Sequence, residues 1–265
     1  MYLLDLPAVL RRAPALRVIE EPGWKTRGHG PMRSVDGVVA HHTAGPVTGD
    51  TPSRGVIVNG RPGLSGPLGN LYISRSGVVH VVAAGLAYHA GQVTAVTYAN
   101  GRRIGIEAEA TGRDGVPTDW PPEQMTAYAQ ACAALCLGYH FDPDDVLGHK
   151  EVAYPVGRKI DPNFGMSGFR TRVETELDRL TGVSRDTPRV PAPRPAVDGR
   201  PVLQRGNAQP SQNVRVLQRR LALLGWNPGA DDGRFGPRVE AAVRGLQVAA
   251  GLVDDGVVGP RTWKA

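Results

Sequence analysis

Cysteine is scarce: Cys132 and Cys136 are the only two in 265 residues, which excludes a disulfide-stapled scaffold and a cysteine-rich metal cluster. Four apart on one face of an expected helix, they are poorly placed for a mutual disulfide and read as reduced core residues. Lysine is nearly as rare. Lys25, Lys150, Lys159 and Lys264 are the only four, so arginine carries most of the net charge of +6. There is no run of five basic residues and no nucleic-acid-binding motif, so the positive excess points to a polyanionic partner other than nucleic acid. Nowhere does an uncharged apolar stretch approach the roughly 20 residues of a membrane span, and no membrane insertion is expected. The opening residues lack a basic start, and Asp5, Pro7, Arg11 and Arg12 interrupt any apolar run, so no signal peptide is expected either. No HExxH or similar short zinc signature occurs, so a metal site would have to be assembled from distant segments.

What is present falls into three regions. Residues 1–180 alternate strand and helix patterns. Gly37-Val-Val-Ala-His-His reads as a buried strand, Asn70–Ser74 and Gly77–Ala83 as a hairpin, and Arg103–Ala110 as another strand. Helices are expected after Pro121-Pro122, with Met125, Tyr128, Cys132 and Leu135 as the apolar stripe, and around Phe169, Val173, Leu177 and Leu180. The fold class expected is therefore α/β, a mixed central sheet flanked by helices. Residues 181–200 hold Pro188, Pro191, Pro193 and Pro195 among Arg, Val and Ala, the composition of an extended linker. Residues 201–265 show two amphipathic helical patterns and a repeat, Asp232-Gly-Arg-Phe-Gly-Pro237 and Asp255-Gly-Val-Val-Gly-Pro260. Each copy puts Asp-Gly at a turn and proline in the first turn of a helix, a capping device repeated in a small helical bundle.

The first region contains the residues suited to chemistry. A catalytic zinc needs three protein ligands and an open position, and His41, His149 and Asp161 are of the required type. Adjacent strand residues face opposite ways, so His41 and His42 cannot both serve one site. Glu107 and Glu109 share a face, and both carboxylates could approach the metal. Lys159 and Asp161 are two apart, which would set a cation beside a ligand.

Four ordered blocks carry a resemblance: Val38-Val-Ala-His-His-Thr-Ala44; Gly69-Asn-Leu-Tyr-Ile-Ser-Arg-Ser-Gly77 with Tyr88-His-Ala-Gly91; Ile104-Gly-Ile-Glu-Ala-Glu109; and Gly148-His-Lys through Gly157-Arg-Lys-Ile-Asp-Pro162. Over about residues 30 to 165 the chain resembles the type-2 N-acetylmuramoyl-L-alanine amidases, and residues 201–265 resemble the type-1 peptidoglycan-binding domain, which implies a small all-α three-helix domain, here with a short last helix. The first resemblance implies Zn2+ held by His41, His149 and Asp161, Glu107 as the acid-base residue, Lys159 at the oxyanion, and Asn70 and His89 at the substrate cleft. His42 is left with a structural or supporting role, and His29, His80 and His140 have no chemical company. Gly69 stands where some branches carry an assisting tyrosine, and Asp161 where others carry cysteine, so the chain resembles the branch that relies on glutamate. The implied activity is cleavage of the amide between N-acetylmuramic acid and L-alanine in bacterial peptidoglycan, a wall whose anionic polymers suit the basic charge. With no export signal expected, the chain resembles phage endolysins made in the host cytoplasm and released to the wall through holin lesions. A host autolysin or wall-remodelling amidase, and a non-catalytic peptidoglycan receptor, are the alternatives. The oligomeric state is left open.

Overall fold

The computed structural model describes residues 1–182, 202–205 and 211–265. The expected linker lies outside them apart from Thr181 and Gly182. The chain divides into two compact units, residues 1–185 and 186–265.

In the first unit, eight strands run β1 Arg17–Glu20, β2 Val38–His42, β3 Gly60–Arg61, β4 Leu64–Ser65, β5 Leu71–Ile73, β6 Val78–Val81, β7 Ile104–Ala108 and β8 Val146–Gly148. Six of them form one sheet in the order β1-β6-β5-β7-β2-β8, while β3 and β4 make a separate hairpin. Only the β5–β6 pair is antiparallel; every other pairing in the large sheet is parallel. Strands β2 and β7 lie inside a parallel run and are buried along their whole length, which explains their nearly continuous apolar sequences.

Alternation along these strands separates two chemistries. Val38, Ala40, Leu71, Ile73, Val79, Val81, Ile104 and Ile106 share one hydrophobic core with the helices α1 Leu6–Leu10, α3 Pro122–Tyr139 and α5 Met166–Thr181. The opposite face carries polar groups in a single row, because the register sets His80 beside Tyr72, Tyr72 beside Glu107 and Glu107 beside His41. Over that face lie the short helices α2 Arg54–Asn59 and α4 His149–Val152. Helix α3 opens with proline in its first turn, as the sequence predicts, but its burial spreads round most of its circumference instead of following one stripe. Buried alanines at 127, 129, 131, 133 and 134 let sheet and neighbouring helices approach closely, whereas Met125 is only partly covered. Cys132 and Cys136 are buried free thiols in this helix.

The second unit comprises α6 Gln212–Leu223, α7 Pro237–Ala249 and the five-residue α8 Pro260–Lys264. Its core joins Leu217, Leu221, Val239, Val243, Val258 and Trp263. The sequence repeat is reproduced in three dimensions by a buried glutamine at each copy. Gln218 Oε1 accepts from Gly233 N (2.9 Å) while its Nε2 donates to Asp232 Oδ1 (2.9 Å) and Arg234 O (3.3 Å). Gln247 does the same to Gly256 N (2.9 Å), Asp255 Oδ1 (2.8 Å) and Val257 O (2.9 Å). Gly233 and Gly256 have φ of 77° and 73°, the left-handed region that explains why each turn carries glycine.

Candidate functional site

Strand β2 ends at the polar row, which delivers His41 to the carboxyl end of the sheet. Strand β8 ends at Gly148, so His149 opens α4 next to it. The segment after α4 returns Asp161 to the same point. His41 Nδ1 and His149 Nδ1 each lie 3.0 Å from Asp161 Oδ2, and the three ligand atoms sit within 4.8 Å of one another. All three residues are buried.

The hydrogen atoms on these imidazoles can be assigned from their partners. His149 Nε2 faces Ala90 O at 2.9 Å, and a carbonyl only accepts, so Nε2 carries the proton and Nδ1 a lone pair. His89 Nε2 likewise faces Arg103 O at 3.2 Å, which leaves His89 Nδ1 as an acceptor. That acceptor lies 3.1 Å from His41 Nε2, so His41 also donates from Nε2 and turns an unprotonated Nδ1 toward Asp161. Burial pushes His41 down to about 4 and His89 well below the usual histidine range. In these tautomers two nitrogen lone pairs and a carboxylate oxygen converge on one point. Such a donor set is of the kind that holds a cation. Tetrahedral zinc, with bonds of about 2.0–2.1 Å, sets its ligand atoms roughly 3.3 Å apart, close to the spacing here.

Glu107 stands beside this set, its Oε1 3.8 Å from His41 Nδ1. Its Oε2 is buried without a hydrogen-bond partner. Burial, reinforced by the charge of Asp161, raises its pKa well above the carboxylate range. A carboxyl group whose pKa is raised and which has one oxygen uncommitted is suited to take a proton from a water and return it. Gly69 leaves it room, since a Cβ there would come within 3.2 Å of Glu107 Cγ. Lys159 is partly exposed and lines a cavity of about 300 Å³ together with Leu64, Tyr88, His89, Asn100 and His149.

Several expectations are revised. Glu109 does not approach the ligands. It is wholly buried, accepting from Thr43 Oγ1 (2.9 Å), Ser53 N (2.9 Å), Ser53 Oγ (3.0 Å) and Tyr72 OH (2.7 Å). Asn70, expected at the substrate cleft, is also wholly buried. Its Nδ2 donates to Ala83 O and Gly85 O and its Oδ1 accepts from Gly105 N, so it ties the start of β5 to β7 and has no group left for substrate. His89 borders the cavity, but both ring nitrogens are used inside the protein. His80 has company after all: its Nδ1 is 2.7 Å from Glu21 Oε1. His42 turns away from the ligands, with its ring 6.2 Å from that of Trp120.

Sequence reasoning missed Tyr128, counted only as core. Its hydroxyl lies 3.0 Å from His41 N and 3.0 Å from Ile106 O, fixing the backbone of both central strands at the site. A tyrosine in an otherwise alanine-rich buried helix was the available signal, because a buried hydroxyl needs a partner.

A profile described as N-acetylmuramoyl-L-alanine amidase matches residues 31–164, and one described as a peptidoglycan binding domain matches residues 210–265. The N-acetylmuramoyl-L-alanine amidase CwlL of Bacillus licheniformis is 28% identical over 264 residues, covering 92% of this chain and 67% of that protein. Among solved structures, the N-acetylmuramoyl-L-alanine amidase LysC from Clostridium intestinale URNW aligns at a TM-score of 0.46 and 22% identity, over 60% of this chain and 97% of that one. The Staphylococcus aureus hydrolase AmiA aligns at a TM-score of 0.47 and 15% identity, over 68% of this chain and 94% of that one. The first matched segment takes in about half of the chain and contains His41, Glu107, His149, Lys159 and Asp161; the chain belongs to the N-acetylmuramoyl-L-alanine amidase family.

Proposed function

We propose that this amidase is a zinc enzyme with His41, His149 and Asp161 as ligands, and that it serves as a phage endolysin acting on the host wall. The observation that carries the metal reading is the convergence of His41 Nδ1 and His149 Nδ1 on Asp161 Oδ2, 3.0 Å from each, beside the uncommitted Glu107 Oε2. When bound, zinc would polarise the scissile carbonyl and lower the pKa of a bound water.

The chain's own residues supply the rest. Glu107 accepts the proton of the attacking water and returns it to the amine of the departing L-alanine, so no covalent intermediate is needed. Lys159, which lines a cavity together with His149, would set an ammonium where negative charge develops on the former carbonyl oxygen. The second unit holds the enzyme on peptidoglycan and takes no part in the chemistry. The presence of His41, His149, Asp161 and Glu107 together speaks against a purely receptor role.

Mass spectrometry of digested walls tests the reaction: new L-alanine amino termini and free muramic lactyl ends are expected, and cleavage at any other bond overturns the assignment. Elemental analysis should find one zinc per chain, with activity lost to a chelator and regained on adding zinc. For the endolysin role, the full chain expressed in a host cytoplasm should leave cells intact until the membrane is permeabilised and lyse them afterwards. Lysis with no dependence on permeabilisation would instead favour a host wall-remodelling amidase.

A further inference from the structure

Both candidate ligand histidines are held from behind by two consecutive residues. His89 Nδ1 accepts from His41 Nε2 (3.1 Å), and the carbonyl of the next residue, Ala90, accepts from His149 Nε2 (2.9 Å). One side chain in turn holds this dipeptide, since Asn100 Oδ1 accepts from His89 N (3.2 Å) and from Ala90 N (2.8 Å). The His89 ring is wedged over β7 at a position only glycine allows. A Cβ on Gly105 would lie 2.4 Å from His89 Cγ. Arg158 adds a further clamp, donating to Gln92 O at 2.8 Å.

We propose that His89 and Asn100 are positioning residues of the metal centre: through the 89–90 dipeptide they impose the Nε2-protonated tautomer on both ligand histidines and aim both Nδ1 lone pairs at one point. This rests on the zinc reading above and deepens it. The physical reason is that an imidazole able to protonate either nitrogen presents its Nδ1 lone pair only part of the time, and a ring free to turn presents it in many directions. Partners behind ligand histidines remove both freedoms, and their loss typically lowers metal affinity about 10–100-fold. Two ligands served by one pinned dipeptide make that loss common to both.

Zinc affinity of the full chain, measured by competition with a chromophoric chelator, is read alongside thermal melting of the metal-free protein. His89→Phe keeps a ring over Gly105 but removes the acceptor, and Asn100→Ala releases both amides. Each is expected to weaken zinc binding at least tenfold, with metal-free melting close to that of the unsubstituted chain. Asn100→Asp, which keeps an oxygen for both amides, is expected to stay within a few-fold. Zinc binding by His89→Phe and Asn100→Ala at full strength overturns the proposal and leaves the metal reading standing. If the unsubstituted chain takes up no zinc, the metal reading falls and this one with it. Imidazole 15N spectra of the unsubstituted, zinc-loaded chain test the tautomers without relying on any variant. Nε2–H with metal-bound Nδ1 on both ligands is expected, and metal bound through Nε2 on either overturns the proposal.

Discussion

At the scale of single residues, neighbours with the same chemistry have opposite roles. His41 and His42 are adjacent, yet one faces Asp161 and the other Trp120, because strand residues alternate. His41→Ala is therefore expected to abolish zinc retention, while His42→Ala should keep most of it. Elemental analysis of the two purified variants checks this, and equal loss would mean the wrong histidine is assigned. Glu107 and Glu109 differ in the same way, but through partners. Glu107→Gln should retain zinc and wall binding while turnover falls by about a hundredfold or more, the range typical of a general base. The base must be ionised to act, so activity should fall as pH drops through the pKa of Glu107, which burial raises and a bound dication lowers. In a pH–rate profile the acid limb should disappear in Glu107→Gln.

At the scale of elements, buried polar side chains hold segments in place. Glu109 anchors the 43–53 segment to β5 through four hydrogen bonds from Thr43, Ser53 and Tyr72. Glu109→Ala leaves the buried donors of Ser53 and Tyr72 without that acceptor, each costing roughly 1–3 kcal/mol, so a large drop in melting temperature is expected. Glu109→Gln, which keeps one oxygen, should lose far less turnover than Glu107→Gln. In the second unit Gln218 holds the Asp232-Gly233 turn and Gln247 the Asp255-Gly256 turn. Gln218→Ala should destabilise that unit by roughly 1–3 kcal/mol by leaving Gly233 N–H without its partner. Calorimetry of the full chain would see this as a shift in one transition, with hydrolysis of soluble muropeptides unchanged.

At the scale of the whole molecule, charge and chemistry belong to different parts of the chain. Residues 1–180 carry 18 basic and 18 acidic side chains, whereas residues 201–265 carry nine basic and five acidic. The positive excess therefore lies in the tail and in the segment before it. A chain ending at Gly182 should still cleave small soluble muropeptides, because every proposed catalytic and ligand residue precedes that point. It should lyse intact walls less well, since tethering raises effective concentration at an insoluble substrate. Exposed charges are screened within roughly 8 Å at physiological salt, so wall retention of the full chain should weaken with added salt, while hydrolysis by the shortened chain should depend on it much less. Cosedimentation with purified peptidoglycan across a salt series measures both, and identical salt curves would separate the charge from wall binding.

The sequence by itself marked part of the elements and the candidate residues of the site. Continuous apolar runs marked β2 and β7, helical spacing marked α5, α6 and α7, and the Asp-Gly and Gly-Pro pairs marked the turns of the repeat, because these are properties of a few neighbouring residues. His41, His149 and Asp161 could be named because their residue types and the blocks around them are local as well. Strand parity could say that Glu107 and Glu109 share a face, but not which of them meets the ligands. That depends on Tyr72 and Ser53, which reach Glu109 from other elements. Asn70 and His89 were drawn to the cleft by their motifs, and only tertiary structure showed what their polar atoms bond to. Hydrogen bonds across 14 to 48 residues decide the tautomers of His41 and His89. A sequence lists donors and acceptors, whereas a metal centre depends on which lone pairs are left unpaired once the chain has closed around them.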